Sequence, residues 1–331
     1  MRNLIAKLFM FIFVLGGLPT FSQQAETASP DTTPAPKWTE VFPSLNPSAR
    51  GYQAMAYDAA SGKTVMLAGY GPQGYLSGTF VWNGSNWSQL QPAAHPSPRY
   101  WHSMAYDAAA KNVVMFGGFS TTFTYLKDTW IWNGSNWKQA QPKTVPPVRV
   151  SSAMAYDASD DRVVMFGGAS EPSSLNDTWL WNGSNWTKVK TATAPIARYA
   201  HAMTYNAATG HVVMFGGVTD GNLVLNDTWF FDGSTWVQKH PATVPPARFF
   251  HTLVYDSVRG KVILFGGNDA FGNVLNDTWV WDGTNWTQET NTGQPAPRRG
   301  QGMVYDSAKG ELVLFGGVNN AGYFSDTFIW K

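Results

Sequence analysis

The sequence of 331 residues contains no cysteine, which excludes disulfide bonds, cysteine-ligated metal centres and thiol nucleophiles. Charged residues are also scarce, at 14% of the chain, and the formal net charge is only +1. Because nucleic-acid-binding proteins usually carry a strongly basic surface, we expect no nucleic-acid partner. Without disulfides, stability must come from an apolar core, and hydrophobic residues make up 44% of the sequence.

Long hydrophobic runs are limited to the N-terminus. The apolar segment Leu8–Leu15 follows the basic residues Arg2 and Lys7 and precedes small residues. This pattern is typical of a secretory signal peptide, here residues 1–22, and the run is too short to span a bilayer. We expect an exported protein, secreted or periplasmic, with no transmembrane segment after removal of the leader. Residues 23–36, rich in Ala, Thr and Pro, are predicted to form a flexible linker.

Aromatic residues, glycine and proline are abundant. The chain has 16 Trp, 13 Tyr and 20 Phe, together with 32 Gly and 20 Pro. Aromatic side chains favour strands, and Gly and Pro favour turns. The composition therefore indicates an all-β protein with many short strands.

An internal repeat of 49 or 50 residues organises the rest of the chain. Each copy contains an arginine, a tyrosine seven residues later, a glycine pair, an Asp-Thr-Trp or Asp-Thr-Phe triplet and, after an Asn-Gly or Asp-Gly turn, a tryptophan. The repeated arginines are Arg50, Arg99, Arg149, Arg198, Arg248 and Arg298. The first copy departs from the pattern, with Ala68-Gly69 and Gly78-Thr79-Phe80 in place of the glycine pair and the triplet.

Each copy is predicted to contain four strands. The first alternates large and small residues, as in His102–Tyr106, and the second is an apolar run such as Asn112–Phe116. The third strand, such as Thr129–Trp132, leads through an Asn-Gly hairpin turn to a fourth near Trp137. These landmarks closely resemble the kelch motif over Trp38 to Lys331.

The resemblance implies a six-bladed β-propeller of four-stranded kelch blades over residues 37–331. The last copy stops at Lys331 after its third strand, and the segment around Trp38 resembles an orphan fourth strand. We therefore expect the N-terminal strand to complete the last blade and close the ring, which leaves few unprotected edges. We expect this propeller to be a monomer.

One face of the propeller is predicted to carry the site. It collects the loops that hold the repeated arginines and the loops between second and third strands, which differ most between copies, and function often lies on variable loops of a rigid scaffold. Aromatic rings and arginine donors on this face suit a glycan, peptide or protein ligand. The candidate ligand-binding residues are Arg50, Tyr52, Tyr75, Tyr100, Trp101, Tyr125, Tyr199, Phe250, Arg299 and Tyr323.

The repeated arginines also have a structural interpretation. Five copies place an aspartate at the start of the third strand, on the same face as the arginine: Asp128, Asp177, Asp227, Asp277 and Asp326. Repeating ion pairs are favoured for most of the arginines. Arg50 faces Gly78 in its own copy and is predicted to be free for a ligand, as is Arg299, which lies outside the repeat.

No catalytic constellation is evident in the sequence. The blades are similar to those of galactose oxidase, whose Tyr–Cys cross-link beside copper cannot form without cysteine, and to those of N-acetylneuraminate epimerase. His102, His201 and His251 each follow a repeated arginine by three residues, and a buried, hydrogen-bonded role is favoured over metal binding. We therefore expect no metal, cofactor or catalytic residue.

Three functional hypotheses follow, the last of which is a purely structural surface protein with no pocket and no soluble ligand. The favoured one is an exported binding module for a glycan, peptide or protein partner. The alternative is a carbohydrate-active enzyme, of the epimerase, mutarotase or lyase type, that works without copper or cysteine and needs an acid–base pair at the channel mouth.

Overall fold

The computed structural model describes residues 36–290 and 292–331. This part of the chain is all-β and forms six antiparallel four-stranded sheets, arranged as the blades of a propeller around a central channel. The predicted six-bladed propeller is confirmed. The predicted leader and nearly all of the predicted linker lie outside the described residues.

The strands follow the predicted order from the channel outwards. The innermost strands are Ala54–Asp58, Ser103–Asp107, Ala153–Asp157, Ala202–Asn206, Thr252–Asp256 and Gly302–Asp306. The second strands are Lys63–Leu67, Asn112–Phe116, Arg162–Phe166, His211–Phe215, Lys261–Asp269 and Glu311–Phe315. The third strands are Thr79–Trp82, Thr129–Trp132, Thr178–Trp181, Thr228–Phe231, Val274–Trp281 and Thr327–Trp330. The outer strands are Trp87–Leu90, Trp137–Gln139, Trp186–Val189, Trp236–Lys239, Trp286–Glu289 and Trp38–Val41.

Short strands extend the loops on one face. They are Tyr70–Gly71, Gly74–Tyr75, Arg99–Tyr100, Phe119–Ser120, Arg248–Phe249, Val318–Asn319 and Gly322–Tyr323. In blade 5 the second and third strands run on into this region, with a register shift between Phe265 and Gly267. None of the described residues forms a helix that could cross a membrane.

The ring closes as the sequence predicts. Trp38–Val41 pairs antiparallel with Thr327–Trp330, and Trp38 lies opposite Trp330. The last blade is therefore built from both ends of the propeller, and its outer strand protects an edge that would otherwise be open.

Tryptophan–threonine hydrogen bonds join each blade to the one before it. The indole Nε1 of Trp137 donates to Thr79 Oγ1 of the preceding blade at 2.9 Å, and Trp186 donates in the same way to Thr129. Across the closure, Trp38 donates to Thr278 and Trp87 to Thr327. Both partners are buried, which explains why each copy has a threonine in the triplet and a tryptophan after the turn.

The glycine pair fits where neighbouring blades meet most closely. A Cβ on Gly167 would lie 2.7 Å from the carbonyl oxygen of Arg198 in the next blade. A Cβ on Gly168 would lie 2.9 Å from the Val150 carbonyl oxygen of its own blade. Both residues also have positive φ, a conformation that favours glycine. A side chain at either position would therefore clash with a neighbouring carbonyl oxygen and strain the backbone.

Candidate functional site

The face that carries the repeated arginines is built from paired loops. In every blade the residue after the arginine pairs with the residue after the glycine pair, as Tyr100 does with Phe119. The backbone is thus repeated six times, while the side chains differ. The pairs in blades 1 and 2 include Tyr70, Tyr100 and Phe119, whereas blade 3 has only Val150 and Ala169.

Five repeated arginines form buried ion pairs with the aspartates of their own blades. Arg149 is fully buried, and its Nη1 lies 2.7 Å from Asp177 Oδ1. The second terminal nitrogen donates to Asp177 Oδ2, so the pair is bidentate. The other pairs are Arg99–Asp128, Arg198–Asp227, Arg248–Asp277 and Arg298–Asp326. These arginines are buried, and their ion pairs hold the loops in place.

The charge of the arginine controls the ionisation of its partner. Burial alone would raise the pKa of Asp177, but hydrogen bonds from Arg149 and its positive charge outweigh burial and lower that pKa. Asp128, Asp227 and Asp277 are affected in the same way by their own arginines. These four aspartates therefore stay ionised as structural partners.

Arg50 is buried, and the sequence-based prediction that it is free for a ligand is corrected here. It has no carboxylate partner among the described residues, but its side chain is only 1% exposed. The guanidinium donates to the Ser48 and Ala68 carbonyl oxygens and to Ser48 Oγ, and it packs 4.7 Å from the centre of the Phe80 ring. Burial lowers the pKa of Arg50 to about 10. Phe80 thus covers the guanidinium in a blade that has no aspartate to pair with it.

A closed ring of backbone hydrogen bonds surrounds the channel mouth. The residue two after each repeated arginine has positive φ, and its N–H donates to the corresponding carbonyl oxygen of a neighbouring blade. The six members are Tyr52, Trp101, Ser151, Ala200, Phe250 and Gly300. Bulky residues rarely adopt this conformation, so the ring holds three aromatic side chains in a strained backbone position.

Those three aromatic side chains converge over the mouth. Trp101 and Phe250, from opposite blades, have ring planes 11° apart and ring centroids 6.1 Å apart. The Tyr52 ring is 5.7 Å from Trp101 and 5.1 Å from Phe250. It lies across Gly300, where a Cβ would fall 2.5 Å from the Tyr52 ring. We call these three side chains the aromatic cover.

The aromatic cover continues outwards into one connected network of rings. Tyr100 is its centre, with centroids 4.4 Å from Trp101, 5.1 Å from Tyr70 and 5.3 Å from Tyr75. Burial and the neighbouring Tyr75 hydroxyl raise the pKa of Tyr100, so its phenol stays protonated. The remaining members, reached through these rings, are Phe119, Phe123, Tyr125, Phe249 and Tyr323. We call the whole set, including the cover, the aromatic face.

The candidate residues therefore separate into four groups. Seven lie in the aromatic face: Tyr52, Tyr75, Tyr100, Trp101, Tyr125, Phe250 and Tyr323. Arg299 lies at its edge, where Nε donates to the Tyr52 hydroxyl and Nη1 to Asn268 Oδ1. Tyr199 makes no ring contact with another aromatic side chain of the described residues. Burial, and to a smaller extent the charge of Asp220, raise the pKa of Tyr199. Arg50 lies buried beneath the loops.

The sequence analysis omitted Tyr70, Phe119, Phe123 and Phe249 from the candidate residues. Phe119 directly follows the glycine pair of its copy, and Tyr70 follows Ala68-Gly69 at the same position, which the paired loops bring beside the residue after the arginine. Phe123 is 77% exposed at the outer end of the network. Phe271 is more exposed still, at 90%, but contacts none of these rings and serves as a natural control.

A small polar cavity of about 150 Å³ lies under the aromatic cover. Its floor is formed by the residues three after the repeated arginines: Gln53, His102, Ser152, His201, His251 and Gln301. Burial lowers the pKa of each of the three histidines to about 3, so the imidazoles are neutral near pH 7. The lining contains no carboxylate, and imidazoles with so low a pKa are poor proton carriers at neutral pH. The cavity supports binding better than acid–base catalysis. Within the described residues, no three His, Asp or Glu side chains lie close enough together to hold a metal ion.

Comparison with known families agrees with this architecture. The family model described as the KLHDC2/KLHL20/DRC7 Kelch-repeats domain matches residues 59–191 and 181–331. The chain belongs to the Kelch-repeat family. Kelch propellers are generally protein-interaction modules. No curated protein sequence matches the chain significantly.

In this kelch propeller the repeated residues and the variable residues have different roles. The repeated Arg, Asp, Thr and Trp side chains bond within and between blades, as Arg149 does with Asp177 and Trp186 with Thr129. The aromatic face comes from positions that differ from blade to blade. A partner can therefore be recognised by one sector of the ring without loss of the common scaffold.

Proposed function

We propose that this protein is an exported recognition module whose aromatic face binds an extended peptide segment of a protein partner. The observation that carries the proposal is the single network of rings around Tyr100, which includes side chains of blades 1, 2, 5 and 6. Tyr and Trp are the residues most enriched at interaction hot spots, because their rings bury much area with little loss of conformational freedom.

Both ends of the network support a peptide partner. Phe123 presents an exposed ring at one end, and Arg299 contributes a half-buried guanidinium at the other. Arg299 makes no ion pair with any residue that the structure describes, so its remaining N–H groups suit a carbonyl or carboxylate group of the partner. Rings at one end and donors at the other favour a segment with apolar side chains and an acidic or carbonyl-rich part.

The test is a peptide-display selection against the purified protein, with a glycan array in parallel. Selected peptides are then titrated against a Tyr75→Ala/Phe123→Ala variant, a Trp101→Ala variant and Phe271→Ala as the matched control. We expect the first two to weaken binding about thirtyfold, the loss that a hot spot of about 2 kcal/mol implies, and the control to bind normally.

Equal binding by all variants would rule out the aromatic face as the docking surface. Selective glycan binding that the Trp101→Ala variant loses would replace the peptide partner with a glycan on the same face. Export is tested separately, by mass spectrometry of the protein recovered outside the cytoplasm. We expect its mass to match a chain whose first residue lies near Ser22–Gln23.

A further inference from the structure

Tyrosine rings meet one another in one part of the aromatic face. The five tyrosines in contact are Tyr52, Tyr70, Tyr75, Tyr100 and Tyr323. All tyrosine–tyrosine ring contacts among the described residues lie in this group. A peptide-binding surface needs aromatic area, but it does not require phenols that lie against one another. The group therefore allows chemistry that peptide binding does not use.

Tyr100 of blade 2 lies against both tyrosines of the blade 1 loop. Tyr70 and Tyr75 pair across the short strands Tyr70–Gly71 and Gly74–Tyr75. The centroid of the Tyr100 ring is 5.1 Å from that of Tyr70 and 5.3 Å from that of Tyr75. After burial, the charge and the hydrogen bonding of the Tyr75 hydroxyl are the next causes that raise the pKa of Tyr100. The two hydroxyl groups are thus neighbours, and the ring carbons beside them are brought together.

We infer that Tyr75 and Tyr100 form an oxidative cross-link, a carbon–carbon bond between the ring positions next to their hydroxyl groups. Each phenol gives one electron and one proton to a peroxide-derived one-electron oxidant, and the two phenoxyl radicals couple. The hydrogen on each coupling carbon then moves to the phenol oxygen, which restores both hydroxyl groups. For each cross-link two C–H bonds are replaced by one C–C bond, and one hydrogen peroxide is reduced to two water molecules.

The arrangement of the rings favours this pair over Tyr70 with Tyr75. The product has both hydroxyl groups beside the new bond, so hydroxyls that are already neighbours resemble the arrangement at coupling, and contact raises the effective concentration of the reactants. The planes of the Tyr75 and Tyr100 rings are 55° apart. Those of Tyr70 and Tyr75 are 72° apart, an edge-to-face contact that directs one ring edge at the face of the other. Tyr75 and Tyr100 are both half-buried, so a small oxidant can reach them.

The cross-link supplies a covalent connection in a chain that has no cysteine. It joins the blade 1 loop to the start of blade 2, and a covalent closure of this kind stabilises a fold mainly by restricting the unfolded chain. Disulfide bonds have this role in many exported proteins. The inference does not depend on peptide binding, and the proposed export supplies the oxidising surroundings.

The experiment treats the purified protein, at low concentration, with light-activated tris(bipyridine)ruthenium and persulfate, a small one-electron oxidant system. Intact mass and a tryptic peptide map then locate the product. Trypsin cleaves after Lys63, Arg99 and Lys111, so residues 64–99 and 100–111 are released as separate peptides unless they are cross-linked.

Three variants keep the aromatic ring and remove one phenol hydroxyl. Tyr75→Phe and Tyr100→Phe each remove one reactant of the proposed cross-link. Tyr255→Phe is the matched control, because Tyr255 lines the channel and contacts no other tyrosine ring among the described residues. All three changes are conservative, so loss of folding does not obscure the result.

We expect a monomer that is lighter by two hydrogen atoms and in which residues 64–99 and 100–111 are joined. The yield should fall about tenfold or more in Tyr75→Phe and in Tyr100→Phe, since each loses a reactant held in contact, and it should be unchanged in Tyr255→Phe. The cross-linked protein should also unfold at a higher urea concentration than Tyr100→Phe after the same treatment.

An undiminished yield of the joined peptides in Tyr75→Phe or Tyr100→Phe would overturn the inference. So would a cross-link that is found only in dimers, because the reaction would then take place between molecules. Peptide titrations of the untreated protein test the proposed function separately, so either result can fail without the other.

Discussion

Trp38 and Thr278 are 240 residues apart in the chain and are joined by a buried hydrogen bond of 3.1 Å. Trp38 belongs to the outer strand of the last blade, and Thr278 to the third strand of blade 5. The Trp38 ring also packs 5.0 Å from Phe265. A segment at the N-terminal end of the propeller thus supplies the same link that every other blade receives from its own repeat.

Removal of this strand should therefore cost far more than removal of the sequence before it. We expect a chain that starts at Pro36 to unfold cooperatively with unchanged stability, whereas a chain that starts at Leu45 should aggregate, because the edge of Thr327–Trp330 becomes open. Trp38→Ala should lower the free energy of unfolding by about 3–5 kcal/mol. Urea denaturation and light scattering check these outcomes. Equal behaviour of the two truncated chains would show that ring closure does not stabilise the fold.

The different surroundings of Arg149 and Arg50 predict that replacement by methionine destabilises the protein by different amounts at the two positions. Arg149→Met leaves Asp177, only 8% exposed, without its partner and should cost about 3–5 kcal/mol. Arg50→Met removes a buried cation without leaving a carboxylate behind, so the loss should be only about 1–2 kcal/mol, mainly from its hydrogen bonds. Urea midpoints at pH 7 give both values. A loss for Arg50→Met as large as that for Arg149→Met would mean that Arg50 is not compensated by Phe80.

The buried histidines predict a loss of stability in mild acid. Their pKa is about 3 in the folded state and about 6.5 in the unfolded chain, so the unfolded state binds more protons as the pH falls below 6.5. The folded state should lose stability between pH 6.5 and 3, by at most about 1.4 kcal/mol per pH unit for each histidine. His201→Gln, with a residue that blades 1 and 6 already use at this position, should reduce the slope by about a third. A slope unchanged by this substitution would assign the acid sensitivity to other groups.

The contact between blades 6 and 1 predicts a compensating pair. A Cβ on Gly302 would fall 2.2 Å from Met55 Sδ, because the methionine fills the space beside the glycine. Gly302→Val should destabilise the protein by about 1–3 kcal/mol through overpacking. Met55→Ala in the same chain should recover most of that loss, and thermal unfolding of the two single variants and the double variant measures the coupling. Simple additivity of the two losses would show that the side chains do not compete for one space.

Much of the fold could be predicted because each copy contains local sequence patterns that specify its strands and turns. Alternating residues such as Met104 beside Ser103, the Asn133-Gly134 turn and the buried run Asn112–Phe116 are local signals, and six repetitions in register reinforce them. The closure by Trp38 was also predictable, since the last copy lacks a fourth strand and the first segment resembles one. The arginine–aspartate pairs followed from two landmarks placed on the same face.

The site was less predictable because it depends on contacts between loops and strands that no local sequence pattern specifies. Arg50 has the sequence context of a free arginine, but Phe80 and the carbonyl groups of Ser48 and Ala68 surround its guanidinium. Phe119 carries no special signal until the paired loops place it 5.7 Å from Tyr100.

The sequence by itself determined the repeat, the number of blades and the order of strands, because these rest on short-range patterns that recur at a constant interval. Only the tertiary structure decided which side chains meet. Trp101 and Phe250 are 149 positions apart, and they stack because the ring brings opposite blades to one channel mouth. The closed ring of backbone hydrogen bonds then fixes their direction, and no local pattern contains that information.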